Sequence, residues 1–325
     1  RLPIGIREDD VLAGDAGPEW GDVPPGLAPL PVAVPENAAP DPAAMMADRY
    51  YIFGGYTPAH TTLDYERIVR QGLQAIRGEV LAFDQFGDKG GTSIRRAMAI
   101  ALDAVCDWAG RFADLADEQA GKTPDAARRA ELQRLAAACR HVPRFPARTF
   151  AEALQAIWIC HFAVGLSELC QSSLSLGRLD QYLLPLFMAE TTGQKGALED
   201  FFRKLNRYGD PACAINVGGC DAAGRDQFNL LSALLLDTVC ALRLPSPLLA
   251  ARLHDGIPAA VLDRLTSPDL VRLGQPTFYG EIPCREALLE RGVPETEVDR
   301  WCANSCMGLY MPGEEICDMW GGVVN

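Results

Sequence analysis

The chain has 325 residues, 48% of them hydrophobic, enough for a large core in one big domain or two smaller ones. Acidic residues outnumber Lys and Arg by 43 to 30, a net charge of −13, and no basic run is present. That balance excludes nucleic acid and anionic membrane as partners; with no apolar run of about 18 residues and an N-terminus too acidic for a signal peptide, the expected location is cytoplasmic.

Residues 1–45 are rich in Pro, Gly, Asp and Ala. They read as an extended arm over a larger body, since such a composition forms neither a long helix nor a central strand. From about residue 60 to 175 helical signals dominate. "TTLDYERIVRQGLQAIRGEV" opens on Thr and Asp and keeps apolar positions at helical spacing. "TSIRRAMAIALDAVCDWAGRFADLADEQA" reads as a long Ala-rich helix opened by Thr92 or Ser93. The next helix, "TPDAARRAELQRLAAACRHV", has Pro124 at an early position. "RTFAEALQAIWICHFAVGLSE" is apolar on nearly all sides and predicts a buried helix.

After Gly177 short β-prone pieces alternate with helices. Strands are expected at 212–219, 246–254 and 274–281, and helices at about 226–242, 258–273 and 284–303. Strand-helix-strand alternation predicts parallel pairing and an α/β fold. The eleven cysteines, odd in number and scattered, do not form a disulfide framework. Cys139, Cys160, Cys170 and Cys240 read as small core residues. Cys302, Cys306 and Cys317 are close in sequence but have no nearby His, so no metal site is expected.

Several segments, in order, resemble one known family. "SLGRLDQYLLPLF" (175–187) resembles the Gly-Arg-Phe-Asp-Gln-Tyr segment of glycyl radical enzymes, the pyruvate formate-lyase superfamily. "AHTTLDYERIVRQGLQAI", "RTFAEALQAIWICHFAV", "LRLPSPLLAARLH" and "EALLERGVPETEVDRWCANSC" continue the likeness. "CMGLYMPGEE" falls where that family has its thiyl loop. The resemblance covers roughly residues 50–325.

It implies a pyruvate formate-lyase-like domain over 46–325, with a helical layer at about 60–175. Part of a ten-stranded barrel and the thiyl loop follow at about 176–325. Cys306 matches the thiyl cysteine, expected on a shielded loop inside a strand-lined cavity with Tyr310 or Met311 close by. A stored glycine radical takes the thiol hydrogen, and the thiyl then takes a substrate hydrogen. His60, Ser173, Asp318 and Tyr310 are the substrate-binding candidates. His60, Ser173 and Cys306 are expected to line one cavity. Asp318 lies two residues short of the family's loop-closing Asp. Arg178 and Asp180 are expected to form a buried ion pair.

The chain also departs from the family pattern. The Cys-x-Glu of the dehydratases is Cys306-Met307-Gly308 here, so the carboxylate that removes a substrate proton is absent. Glu314 and Glu315 read as solvated or structural rather than as replacements. Nothing in the chain matches the Arg-Val-x-Gly radical motif or a radical-SAM cysteine triplet. The implied function is radical C–X or C–C cleavage of a small polar substrate, with a separate radical-SAM activase. Radical addition of the fumarate-adding type and a truncated, non-catalytic binding protein are the alternatives. An incomplete barrel implies a homodimer or a complementing chain at an open sheet edge.

Overall fold

The computed structural model describes residues 4–14, 62–83, 89–167, 174–190, 192–207, 213–304 and 308–314. Helix α1 (Tyr65–Ala82) is capped by the Asp64 carboxylate, which accepts from the Arg67 N–H. It breaks at Gly72 (φ 75°), where a Cβ would lie 2.6 Å from the Phe145 Cα. The opened turn there hydrogen-bonds to a neighbouring loop, Leu73 to the Pro143 carbonyl and Gln74 to that of Arg144. α2 (Lys89–Lys122) packs along α3 (Ala126–His141). α3 begins after its cap Asp125, so Pro124 stands just outside the helix rather than in its first turn.

α4 (Phe150–Ser167) is the buried helix its sequence predicts: Leu154, Ile157, Trp158 and Phe162 are fully enclosed. Short helices α5 (Leu179–Tyr182) and α6 (Leu184–Ala189) and the longer α7 (Gln194–Arg207) follow. Strand β1 (Ala214–Gly218), α8 (Leu230–Leu242), β2 (Leu248–Leu253), α9 (Ala259–Leu265), α10 (Pro268–Arg272), β3 (Thr277–Gly280) and α11 (Glu281–Glu290) then alternate. The expected helix at 226–242 starts at 230 because Asn229 and Ser232 form a reciprocal cap. The one expected at 258–273 is cut in two before Pro268. The one expected at 284–303 ends at 290, where Gly292 (φ 91°) and Pro294 break it.

β1, β2 and β3 pair in parallel, in that order. Two parallel bridges, Thr62 to Ser175 and Ser175 to Ala214, extend the sheet to five parallel lines: 62, 175, β1, β2, β3. Sequence patterning misses the first two because each is a single bridging residue. Side chains alternate between the sheet faces. Ile215, Val217, Leu249 and Ala251 join the main core with Leu154 and Ile157 of α4, Phe201 and Phe202 of α7 and Leu235 of α8. Ala250 and Tyr279 belong to a separate cluster with Trp301, Ala303 and Met311.

Residues 4–14 lie across the helical layer. Asp200 accepts from the N–H groups of Val11 and Leu12, Gln155 pairs with both backbone groups of Ala13, and Trp158 donates to Gly14. Lys204 and Asp10 form a fully buried ion pair at 2.8 Å. The rest of the expected 1–45 arm lies outside the described residues. Among the described residues no helix is long and apolar enough to cross a membrane.

Candidate functional site

The inner face of the sheet holds a narrow hairpin, β4 (Cys302–Ala303) paired antiparallel with β5 (Leu309–Tyr310). The Asn304 N–H reaches the Gly308 carbonyl at 2.9 Å. The three residues that join them, 305–307, include Cys306 and lie outside the described residues. Two antiparallel residue pairs do not make a stable hairpin alone. What holds this one is the sheet behind it.

Each of the five lines contributes one polar side chain to the hairpin. The Thr62 hydroxyl lies 3.3 Å from the Cys302 sulfur. Ser175 donates to the Ala303 carbonyl at 3.0 Å. Asn216 donates to the same carbonyl at 2.9 Å and accepts from the Ala303 N–H at 2.7 Å. Arg252 donates to the Trp301 carbonyl at 2.8 Å, and Tyr279 to the Asn304 carbonyl at 3.1 Å. All five are buried. In this dry environment each directed contact matters, since an unmade buried hydrogen bond leaves a desolvation cost of about 1–3 kcal/mol.

The base of the hairpin rests on a buried charge cluster. Arg252 makes two bonds to Glu281, at 2.8 and 2.7 Å, and its guanidinium lies 4.0 Å from the Trp301 ring centroid. Glu281 also accepts from the Trp301 indole and the Cys220 N–H. The Gly218-Gly219 turn, with φ of 71° and 87°, makes room for this pair; a Cβ on Gly219 would lie 3.0 Å from the Arg252 Nε. Arg252 and Glu281 are the buried ion pair of this region, not Arg178 and Asp180 as the sequence implies. Arg178 instead donates to the carbonyls of Gly218 and Asp299, and Asp180 accepts from the Gly218 N–H and the Ser232 hydroxyl. The two charges still attract each other, but no direct bond joins them, and Arg178 Nε and Asp180 Oδ1 stay buried without a hydrogen-bond partner. Burial, with Arg252 as a like charge, pulls Arg178 down to about 10. Burial also raises the Asp180 carboxyl, against the pull of Arg178.

A cavity of ≈ 410 Å³ opens beside the hairpin base, at the carboxyl ends of the first three lines, bordered by Asp64, Gly177, Arg178, Cys220, Asp299 and Pro312. Carboxyl ends of parallel strands are where α/β sheets commonly take ligands.

Tyr310 is described and buried. It pairs with Cys302, and its ring lies over Gly308: a Cβ there would sit 2.6 Å from the Tyr310 hydroxyl. The bare position two residues after Cys306 is therefore filled by a neighbouring aromatic ring. His60, Ser173, Cys306 and Asp318 lie outside the described residues. The residues two places after His60 and Ser173, namely Thr62 and Ser175, bridge each other and both touch the hairpin. Glu314 is exposed and bonds to Arg300, which fits its structural reading; Glu315 lies outside the described residues.

Among the described residues no group of His, Cys, Asp and Glu is placed to hold a metal. Cys139 and Cys160 are buried as expected, and burial pushes the Cys139 thiol up to about 12 and that of Cys160 higher still. Such thiols are inert as nucleophiles. Cys240 is half-buried, and Cys170 lies outside the described residues. Sequence reading missed Asn216, Arg252, Glu281 and Ser175. A signal existed for two of them, an Asn inside "ACAINVGG" and an Arg inside "LLAARL", each interrupting an apolar run.

Residues 43–325 match the family described as pyruvate formate lyase-like. The chain is similar to the isethionate sulfite-lyase of Nitratidesulfovibrio vulgaris, 28% identical over 291 residues, covering 81% of this chain and 35% of that protein. It is also similar to the (2S)-3-sulfopropanediol dehydratase of Klebsiella oxytoca, 26% identical, covering 79% of this chain and 34% of that one. Among solved structures it resembles one describing 1,2-propanediol dehydration in Roseburia inulinivorans, with a TM-score of 0.72 and 29% identity over 78% of this chain and 35% of that one. A glycyl radical enzyme from Archaeoglobus fulgidus gives 0.71 and 26%, over 78% and 36% of the two chains. The chain thus spans about a third of the length of the curated relatives it matches.

Proposed function

Because this chain belongs to the pyruvate formate lyase-like family, we propose that it is the thiyl-bearing part of a glycyl radical lyase or dehydratase acting on a small polar organic molecule. The observation that carries this reading is the hairpin itself. Buried side chains from four of the five parallel lines grip the backbone on one side of Cys306, and Tyr310 packs on the other.

A glycyl radical, installed by a separate radical-SAM activase, would supply the hydrogen-atom abstraction that converts the Cys306 thiol to a thiyl. The thiyl takes a hydrogen atom from a substrate C–H bond; the substrate radical loses its leaving group, and the product radical takes the hydrogen back from the thiol. The chain's own residues hold this exchange in place. Asn216, Ser175, Arg252 and Tyr279 fix the outgoing strand, while Trp301 and Met311, both fully buried, keep water from its base. His60, Ser173, Tyr310 and Asp318 are assigned to substrate contact. A homodimer or a complementing chain, and a cytoplasmic location, belong to the same reading.

Gly308 favours one second reading. With the Tyr310 ring over it, position 308 offers no carboxylate beside the thiol. A radical addition to an alkene needs no such base.

The test uses the full-length protein, incubated without oxygen with a radical-SAM activase. 1,2-Propanediol, glycerol and isethionate are offered, and separately fumarate with a hydrocarbon. Turnover of one of the first three, abolished by Cys306→Ala, supports the cleavage reading. Turnover only of fumarate selects the second, and turnover that survives Cys306→Ala sinks both.

A further inference from the structure

We propose that Asn216 is the positioning residue that sets the register of the hairpin and thereby the place of Cys306 along it. A polar side chain at the centre of a parallel sheet is costly unless fully bonded. The Asn216 amide is fully enclosed, and it spends both its ends on one residue, donating to the Ala303 carbonyl at 2.9 Å and accepting from the Ala303 N–H at 2.7 Å. It behaves as a strand one residue long, laid along the free edge of β4.

This pairing reads register because backbone groups alternate in direction along a strand. Ala303 turns its N–H and carbonyl toward Asn216. Its neighbours turn toward the other hairpin strand: Cys302 pairs with Tyr310, and the Asn304 N–H reaches Gly308, while the Asn304 carbonyl is taken by Tyr279. A slip of one residue would set Cys302 or Asn304 against the amide, with their N–H groups pointing into the hairpin. A slip of two would bring in Trp301, whose indole is committed to Glu281 and whose carbonyl is held by Arg252. The other four anchors work differently: Ser175, Arg252 and Tyr279 each donate to a carbonyl, and Thr62 meets the Cys302 sulfur, contacts that do not by themselves read the direction of a residue's N–H and carbonyl together. Any slip moves every later residue, Cys306 included, by the same number of places. The catalytic consequence rests on the reading of Cys306 above; the register itself does not.

The test is hydrogen exchange, followed peptide by peptide in the full-length protein, for wild type and the variants Asn216→Ala, Asn216→Leu and Asn216→Asp. In the Ala and Leu variants the Ala303 amide is expected to lose protection by about 10- to 100-fold, while the amides of α4 keep theirs. The Asp variant supplies a readout that a merely structural role would not move. A protonated carboxyl copies the amide's donor and acceptor, whereas an ionised one faces the Ala303 carbonyl with two acceptors. Protection of Ala303, corrected for intrinsic exchange, should therefore rise in that variant as pH falls, and stay flat in wild type. Equal Ala303 protection in all four proteins, or equal losses in α4 and the hairpin, would overturn the proposal. In activated enzyme the Leu variant should lower kcat with KM held. A protein that shows the exchange pattern but turns nothing over would defeat the reading of Cys306 and leave the register assignment standing.

Discussion

The two faces of the five-line sheet are built from the same strands and held by different physics. On the outer face Ile215, Val217, Leu249 and Ala251 meet helices through non-directional burial. On the inner face Ser175, Asn216, Arg252 and Tyr279 meet a hairpin through aimed hydrogen bonds. Apolar burial accepts many shapes of similar volume and specifies which face a side chain takes more than its exact position. Directed polar contacts admit one arrangement. A fold that must present one particular residue gains from having the second kind of contact beneath it.

The largest expected effect comes from the inner face. Glu281→Ala leaves Arg252 buried without its carboxylate and strands the Trp301 indole and the Cys220 N–H. Urea unfolding should show a loss of about 3–5 kcal/mol. The double change Arg252→Met with Glu281→Leu should cost clearly less, and an equal cost would refute the role given to the stranded charge. On the outer face Leu249→Ala should cost about 2–5 kcal/mol by the same measurement. Unlike an inner-face change, it should leave the exchange protection of Ala303 in place. A comparable loss there would break the division between the faces.

That division also explains what the sequence made legible. The expected strands at 212–219, 246–254 and 274–281 contain the observed β1, β2 and β3, and the outer faces of β1 and β2 carry apolar side chains that a helical layer accepts. The inner residues were harder to read. Asn216 and Arg252 are bonded to backbone groups 87 and 49 positions away, and backbone leaves no trace in residue identity. Arg178 and Asp180 misled for the same reason: two opposite charges near each other in sequence suggest a pair, while carbonyl and N–H partners stay invisible. Of the candidate site, the likeness around Cys306 located the hairpin, and Tyr310 was placed in it. His60, Ser173, Cys306 and Asp318 lie outside the described residues.

The helical side should carry its own acid sensitivity. His161 on α4 is enclosed beside Tyr65, whose hydroxyl lies 2.9 Å from the Nδ1, and burial pulls it from 6.5 down to about 4. The unfolded chain binds a proton below 6.5, and the folded chain resists until about 4. Stability is therefore lost as pH falls through that window, by about 3 kcal/mol in all. Asp180, raised by burial, contributes the opposite slope, with stability falling as pH rises through its folded value. The difference in unfolding free energy between wild type and His161→Phe isolates the histidine. A flat difference from pH 6.5 to 4 would remove it from the account.

The smallest effect expected is at Gly308. Gly308→Ala drives a methyl into the Tyr310 ring, which is only 6% exposed and cannot swing aside freely. Overpacking of this kind costs about 1–3 kcal/mol. Adding Tyr310→Ala should relieve most of the strain, so the two changes should be strongly non-additive in thermal unfolding. Additive losses would mean that ring and glycine are not interlocked.

The segment at residues 4–14 has a consequence in time. Its ion pair joins Asp10 to Lys204, 194 positions later. On a ribosome moving at about 5–20 residues per second, Asp10 waits roughly 10–40 s for its partner to be made. Until then the strap has no groove to enter, and the N–H groups of Val11 and Leu12 must stay with water instead of Asp200. "IREDD" is charged enough to remain solvated through that delay. Residues 4–14 thus leave the ribosome well before their docking site exists, and they close the helical layer only after the α7 that receives them has formed.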